Sequence, residues 1–138
     1  MFAHNAALID DFNGVNNGDI SLFVRFGSDI KNNYYEYEIP LEVTPAGKYG
    51  DREAVWPANN MLDCDLDIFP AIKKQRNAEK MQESSGVSYN RRYTVPDPNR
   101  EKNSVTVIGN PSLSDVRVIL IGVKNNSTMV RNCNVWVN

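Results

Sequence analysis

Acidic side chains at every second position are the first residues in this chain that could do chemistry. Asp63, Asp65 and Asp67 bring three carboxylates close together, as a hard cation such as calcium prefers. A helix-flanked calcium loop opening at Asp63 would need glycine at 68 and glutamate at 74, and the chain has Ile68 and Lys74. The three aspartates therefore read as the solvated face of a short strand, and no metal site is expected. Glu36, Glu38 and Glu42 could supply the carboxylates of glycoside hydrolysis, which needs an acid and its partner on opposite sides of the scissile bond. Neighbours on one strand face cannot oppose one another, so these read as charges that keep a sheet face soluble and discourage edge pairing. Among the aromatics, Tyr35, Tyr37, Tyr89 and Tyr93 fall at alternating core positions. Tyr34, on the acidic face, and Trp56, in a loop, are the two candidates for an exposed platform on which a sugar could stack. Trp56 reads equally well as a plug over the end of the fold.

Cys64 and Cys133 are too few for a four-ligand zinc site, and the single histidine, His4, falls near the start of the chain. Nucleophilic catalysis of the Cys-His or Ser-His-Asp kind would need His4 held in place, which its position argues against. No catalytic residue, cofactor or enzymatic activity is expected. Alternation puts Cys64 on the inward side of its strand, and Cys133 opens the last one. Two alternatives stay open: a disulfide, worth about 2 to 4 kcal/mol in an oxidising compartment, or two buried thiols.

The elements that carry these residues are mostly strands. Ile20, Leu22, Val24 and Phe26 alternate with Ser21, Phe23 and Arg25, and Tyr35, Tyr37, Ile39, Leu41 and Val43 alternate with Tyr34, Glu36, Glu38, Pro40 and Glu42. Pro40 suggests an edge or bulge. Leu62, Cys64 and Leu66 alternate with the aspartates. From Ile68 to about Met81 the period changes to a helical one, predicting one helix of roughly three turns. Val87 to Val95 alternates again, Pro96 to Asn99 turns, and Ser104 to Ile108 is β-branched. Val116 to Val123 is apolar on both faces, which places it at a sheet centre or packed on both sides. Asn132 to Asn138 is a last strand. Eighteen asparagines, often doubled as at Asn32-Asn33 and Asn125-Asn126, punctuate the series. The expectation is a mainly β fold, a two-sheet antiparallel β-sandwich with one short α-helix. Residues 1–138 form a single domain, with 1–18 a poorly ordered lead-in containing the turn dipeptides Asn13-Gly14 and Asn17-Gly18.

Composition bounds the function. The 138 residues are 41% hydrophobic and 23% charged, with Lys+Arg 15 against Asp+Glu 17, the balance of a folded domain. Scattered basic residues give no case for nucleic acid. The longest apolar run, Val118 to Val123, is far short of the roughly 20 residues a membrane helix requires, so no helical membrane span is expected within these residues. The N-terminus lacks a charged n-region and a sustained apolar core, so it is not a secretory signal.

A series of phrases in order carries a family resemblance. Leu22-Phe23-Val24-Arg25-Phe26-Gly27-Ser28-Asp29 precedes Asn33-Tyr34-Tyr35-Glu36-Tyr37-Glu38-Ile39-Pro40-Leu41. Val55-Trp56-Pro57, Lys74-Gln75-Arg76-Asn77, the stretch from Val107 to Arg117 and the closing Val135-Trp136-Val137-Asn138 follow. From about Ser21 onward the chain resembles a segment of the SprA (Sov) family, giant outer-membrane translocon proteins of gliding motility and the type IX secretion system. The resemblance implies a domain excised from a much larger chain, associated with the outer membrane on its periplasmic or extracellular side. It implies a structural or docking role toward other type IX components and secreted cargo proteins. The strand from Ser114 to Val123 and the terminal Trp-Val-Asn strand are also similar to jelly-roll carbohydrate-binding modules. That similarity implies a jelly-roll-like sandwich and, as the second reading, a glycan-binding module of a surface protein.

Overall fold

The computed structural model describes residues 1–7 and 14–138. Asn13 of the Asn13-Gly14 turn lies outside the described residues. The chain is mainly β, as the alternation predicts. Its strands are β1 (Ala3–Ala7), β2 (Ile20–Gly27), β3 (Tyr34–Pro40), β4 (Tyr93–Asp97), β5 (Arg100–Ile108), β6 (Val118–Asn125) and β7 (Cys133–Val137). Two α-helices are described, α1 (Arg52–Val55) and α2 (Ile68–Lys80). Five strands form one sheet in the order β4-β5-β3-β2-β6, and β1 pairs with β7 in a second. The chain divides into two compact units, one of Met1–Phe23, Ile39–Asp63 and Gly122–Asn138, the other of Val24–Glu38 and Cys64–Ile121.

In the first unit, β1 lies antiparallel to β7, with His4 opposite Trp136. Ala3–Ala7 is thus a strand within the stretch read from the sequence as a lead-in. Ala3, Ala6, Val15, Ile20, Leu22, Ile39 and Leu41 form its apolar interior. The Leu41 amide donates to the Ile20 carbonyl at 2.8 Å and the Leu41 carbonyl accepts from the Gly18 amide at 2.9 Å. Asn60, fully buried, behaves as a backbone splint. Its Oδ1 accepts the Glu42 N–H at 2.7 Å and its Nδ2 donates to the Glu42 carbonyl at 2.9 Å. The loop expected around Trp56 holds α1 and a 3-10 turn at Ala58–Asn60. The Asp51 carboxylate caps α1 by accepting the N–H groups of Glu53 and Ala54. Gly122 lets β2 and β6 pack closely, since a Cβ there would lie 2.6 Å from the Phe23 ring.

In the second unit, β3 and β4 flank β5 in antiparallel register, Tyr35 and Tyr93 both lying opposite Val107. Pro96 is tolerated in β4 because that strand has only one neighbour, and the register shifts beside it. Helix α2 spans the predicted residues and buries Phe69, Ile72 and Arg76, positions i, i+3 and i+7 of one face. Phe69 sits among rings, edge-on to Phe26 at 4.8 Å and tilted against Tyr35 at 5.4 Å. Gly109, at φ +69°, lies where a Cβ would collide with the Asn32 carbonyl.

Two strand expectations fail here. Leu62–Leu66 is not a strand. Leu66 is exposed, and the Asp65 carboxylate accepts the Asp67 N–H at 3.1 Å in a turn that leads into α2. The period-2 pattern covers an extended stretch that Asp65 turns into α2 rather than a pleated strand. Residues 87–92 lie outside β4, whose first residue is Tyr93.

Candidate functional site

On the second unit, the acidic face of β3 is closed rather than wet. Glu36 is 3% exposed, and its carboxylate bridges two arginines. Arg25 Nε donates to Glu36 Oε2 at 2.7 Å, and Arg92 Nη2 donates to Oε1. Arg25 also donates to the Ile30 carbonyl at 2.8 Å, and Arg92 donates to the Tyr34 hydroxyl at 3.0 Å. Burial alone would raise the Glu36 carboxyl, but the hydrogen bonds and charges of Arg92 and Arg25 hold it below the usual carboxylate range. Glu36 therefore corrects the expectation of a solvent-facing acid row.

Tyr34 corrects a second expectation. It is buried, its ring lying under the Arg25 guanidinium at 4.1 Å, so it offers no exposed platform. The alternation placed it on the right face; two arginines distant in sequence turned that face into an interior. The next polar group on the sheet is equally closed. The Tyr37 hydroxyl donates to Asp97 Oδ2 at 2.5 Å and accepts from Asn103 Nδ2 at 3.0 Å, and burial followed by the Asp97 contact pushes the phenol up.

Trp56 has a different setting, in the first unit. It follows α1, and its ring meets His4 edge-on at 5.7 Å, while the other indole, Trp136, stacks on His4 at 4.9 Å with 20° between the planes. Burial pushes the His4 imidazole down. A cavity of about 350 Å³ opens beside Trp56, lined by Phe2, Arg52, Glu53, Trp56 and Asn138. His4, near the start of the chain, and Trp136, in the last strand, thus share an aromatic cluster with Trp56. The antiparallel pairing of β1 with β7 brings them together, and no local pattern announces it.

Strand β6 also departs from expectation. Among the described residues it is the last strand of its sheet rather than a central one. Ile119, Ile121 and Val123 alternate along it at 65%, 48% and 55% exposure. Of the remaining candidates, Cys64 lies in the second unit and Cys133 in the first. Both are half-buried thiols, and burial pushes the Cys133 thiol up. Among the described residues, no helix is long and apolar enough to cross a membrane.

A family model, SprA_N, described as motility related/secretion protein, matches residues 1–138, the whole chain. No curated protein matches it.

Proposed function

The chain belongs to the SprA_N family of motility related/secretion proteins, and we propose that it is a non-enzymatic structural or docking domain of the type IX secretion translocon. In this reading it serves protein secretion and gliding motility at the outer membrane, on the periplasmic or extracellular side. Its partners are other secretion components or cargo polypeptides.

The observation that carries the docking role is β6. A last strand presents unpaired N–H and C=O groups along its free side, and long, flat, apolar edges are normally blunted because they recruit other strands. Here Ile119, Ile121 and Val123 stand in a row on such a strand. The occupant that matches both features is an extended segment of a partner polypeptide. It would add by backbone hydrogen bonds and set alternate apolar side chains against the three residues.

In-frame deletion of these 138 residues in the producing cells tests the role. Loss of cargo secretion and of gliding is expected, and normal secretion and motility would overturn it. The glycan-binding alternative loses Tyr34, which is buried, and keeps Trp56.

A further inference from the structure

The face of the β1–β7 pair beside α1 has the makings of a small-ligand site. Phe2 and Asn138 exchange backbone hydrogen bonds at 2.9 Å, and His4 lies opposite Trp136. Side chains alternate along a strand, so Phe2, His4, Trp136 and Asn138 share one face. Trp56 lies edge-on to His4, and the Asp51 cap holds the short turn of α1 from which Arg52 and Glu53 line the same cavity. Two aromatic walls, Phe2 and Trp56, thus meet a guanidinium and a carboxylate from adjacent residues.

We propose that this cavity binds a single neutral sugar ring. One face of a pyranose is a patch of C–H groups that rests on Phe2 or Trp56, and its rim carries neighbouring hydroxyls that both donate and accept. Arg52 supplies only donors and Glu53 only acceptors, so together they match a vicinal pair of hydroxyls. An anionic ligand would meet the Glu53 carboxylate and a cationic one the Arg52 guanidinium, so the pair selects against net charge. The volume, about 350 Å³, is at the small end of ligand pockets and suits one ring. The inference rests on the glycan-binding alternative, keeps its Trp56 and replaces Tyr34 with Phe2, Arg52 and Glu53. It shares none with the Ile119, Ile121 and Val123 row, so the site and the docking face can fail separately.

The test is an NMR titration of the 138-residue chain with glucose, galactose, mannose and N-acetylglucosamine into the tens of millimolar. Saturable shifts centred on the Trp56 indole N–H are expected for at least one sugar. Arg52→Ala and Glu53→Gln, both exposed side chains, should weaken that binding about tenfold each while the spectrum stays folded. Tyr89→Ala, at an exposed aromatic outside the site, should leave it unchanged. Trp56→Ala should abolish it; if that variant unfolds, the Arg52 and Glu53 variants decide. Absence of saturable shifts with all four sugars would overturn the proposal. So would shifts indifferent to Arg52→Ala and Glu53→Gln, or a tighter response to phenylalanine, whose zwitterion could also engage the pair.

Discussion

Replacing Glu36 by glutamine removes one charge from the closed face of β3 while keeping the side chain's size. The carboxylate is nearly inaccessible, and it satisfies Arg25 Nε and Nη2 together with Arg92 Nη2. Breaking a fully buried ion pair from one side typically costs 3 to 5 kcal/mol, roughly, because the remaining charge is stranded. The two arginines are not stranded equally. The Arg25 side chain is 21% exposed and retains its bond to the Ile30 carbonyl, whereas that of Arg92 is 42% exposed and can hydrate. Discounting the Arg92 share to the exposed-pair range of about 0 to 1 kcal/mol leaves about 2 to 3 kcal/mol for Glu36→Gln. Urea denaturation followed by circular dichroism measures this directly. The pH dependence has a fixed sign. The folded Glu36 carboxyl lies below its unfolded value, so its contribution is complete above the unfolded value of roughly 4.3 and is lost as pH falls through the folded one. Glu36→Gln should therefore flatten the stability profile below about pH 4.5. The paired change Arg25→Met with Glu36→Leu should cost less than Glu36→Gln alone, since it strands less charge. A loss under about 1 kcal/mol for Glu36→Gln, with an unaltered acid profile, would refute the clamp.

His4 titrates in a separate window. Burial depresses its folded value, so the unfolded chain takes up the proton first, and stability should decline as pH falls below about 6.5. His4→Phe should remove that slope in melting curves recorded between neutral and mildly acidic pH. Gly109→Ala should cost at least about 2 kcal/mol, because it combines a positive φ with a collision against the Asn32 carbonyl, and a thermal melt within a degree of the parent's would contradict this. Cys64 and Cys133 should both alkylate in the unfolded, unreduced protein, as the structure holds them as thiols. Mass spectrometry that finds neither labelled until reductant is added would establish a bridge instead.

What the sequence disclosed was governed by local periodicity. Helix α2 was legible because Phe69, Ile72 and Arg76 repeat at helical spacing, and the strands around Leu22 and Tyr35 were legible because their apolar residues alternate at period two. Glu36 and Tyr34 were assigned to the correct face of β3 but to the wrong environment. Arg25 and Arg92, which bury them, lie 11 and 56 positions from Glu36. β6 misled in the opposite direction. An apolar run without a wet face is the signature of a central strand, yet the run stands last in its sheet, so its exposed half carries a meaning composition cannot supply. At Leu62 to Leu66 the alternation was real, but Asp65 used its carboxylate to turn the chain into α2. The cluster of His4, Trp56 and Trp136 depends on pairing between the first and last described strands, a long-range fact with no local trace.

The docking role is tested most directly by charging the exposed row of β6 without touching the interior. Ile119→Lys, Ile121→Lys and Val123→Lys combined replace side chains that are about half or more exposed, so the purified domain should melt close to the parent. The measurement is cargo secretion in cells that carry the triple variant, normalised to the amount of the protein present. The account predicts that secretion falls to near the level of the deletion while the domain remains folded. Secretion at the parental level, with the three lysines in place and the domain folded, would contradict it.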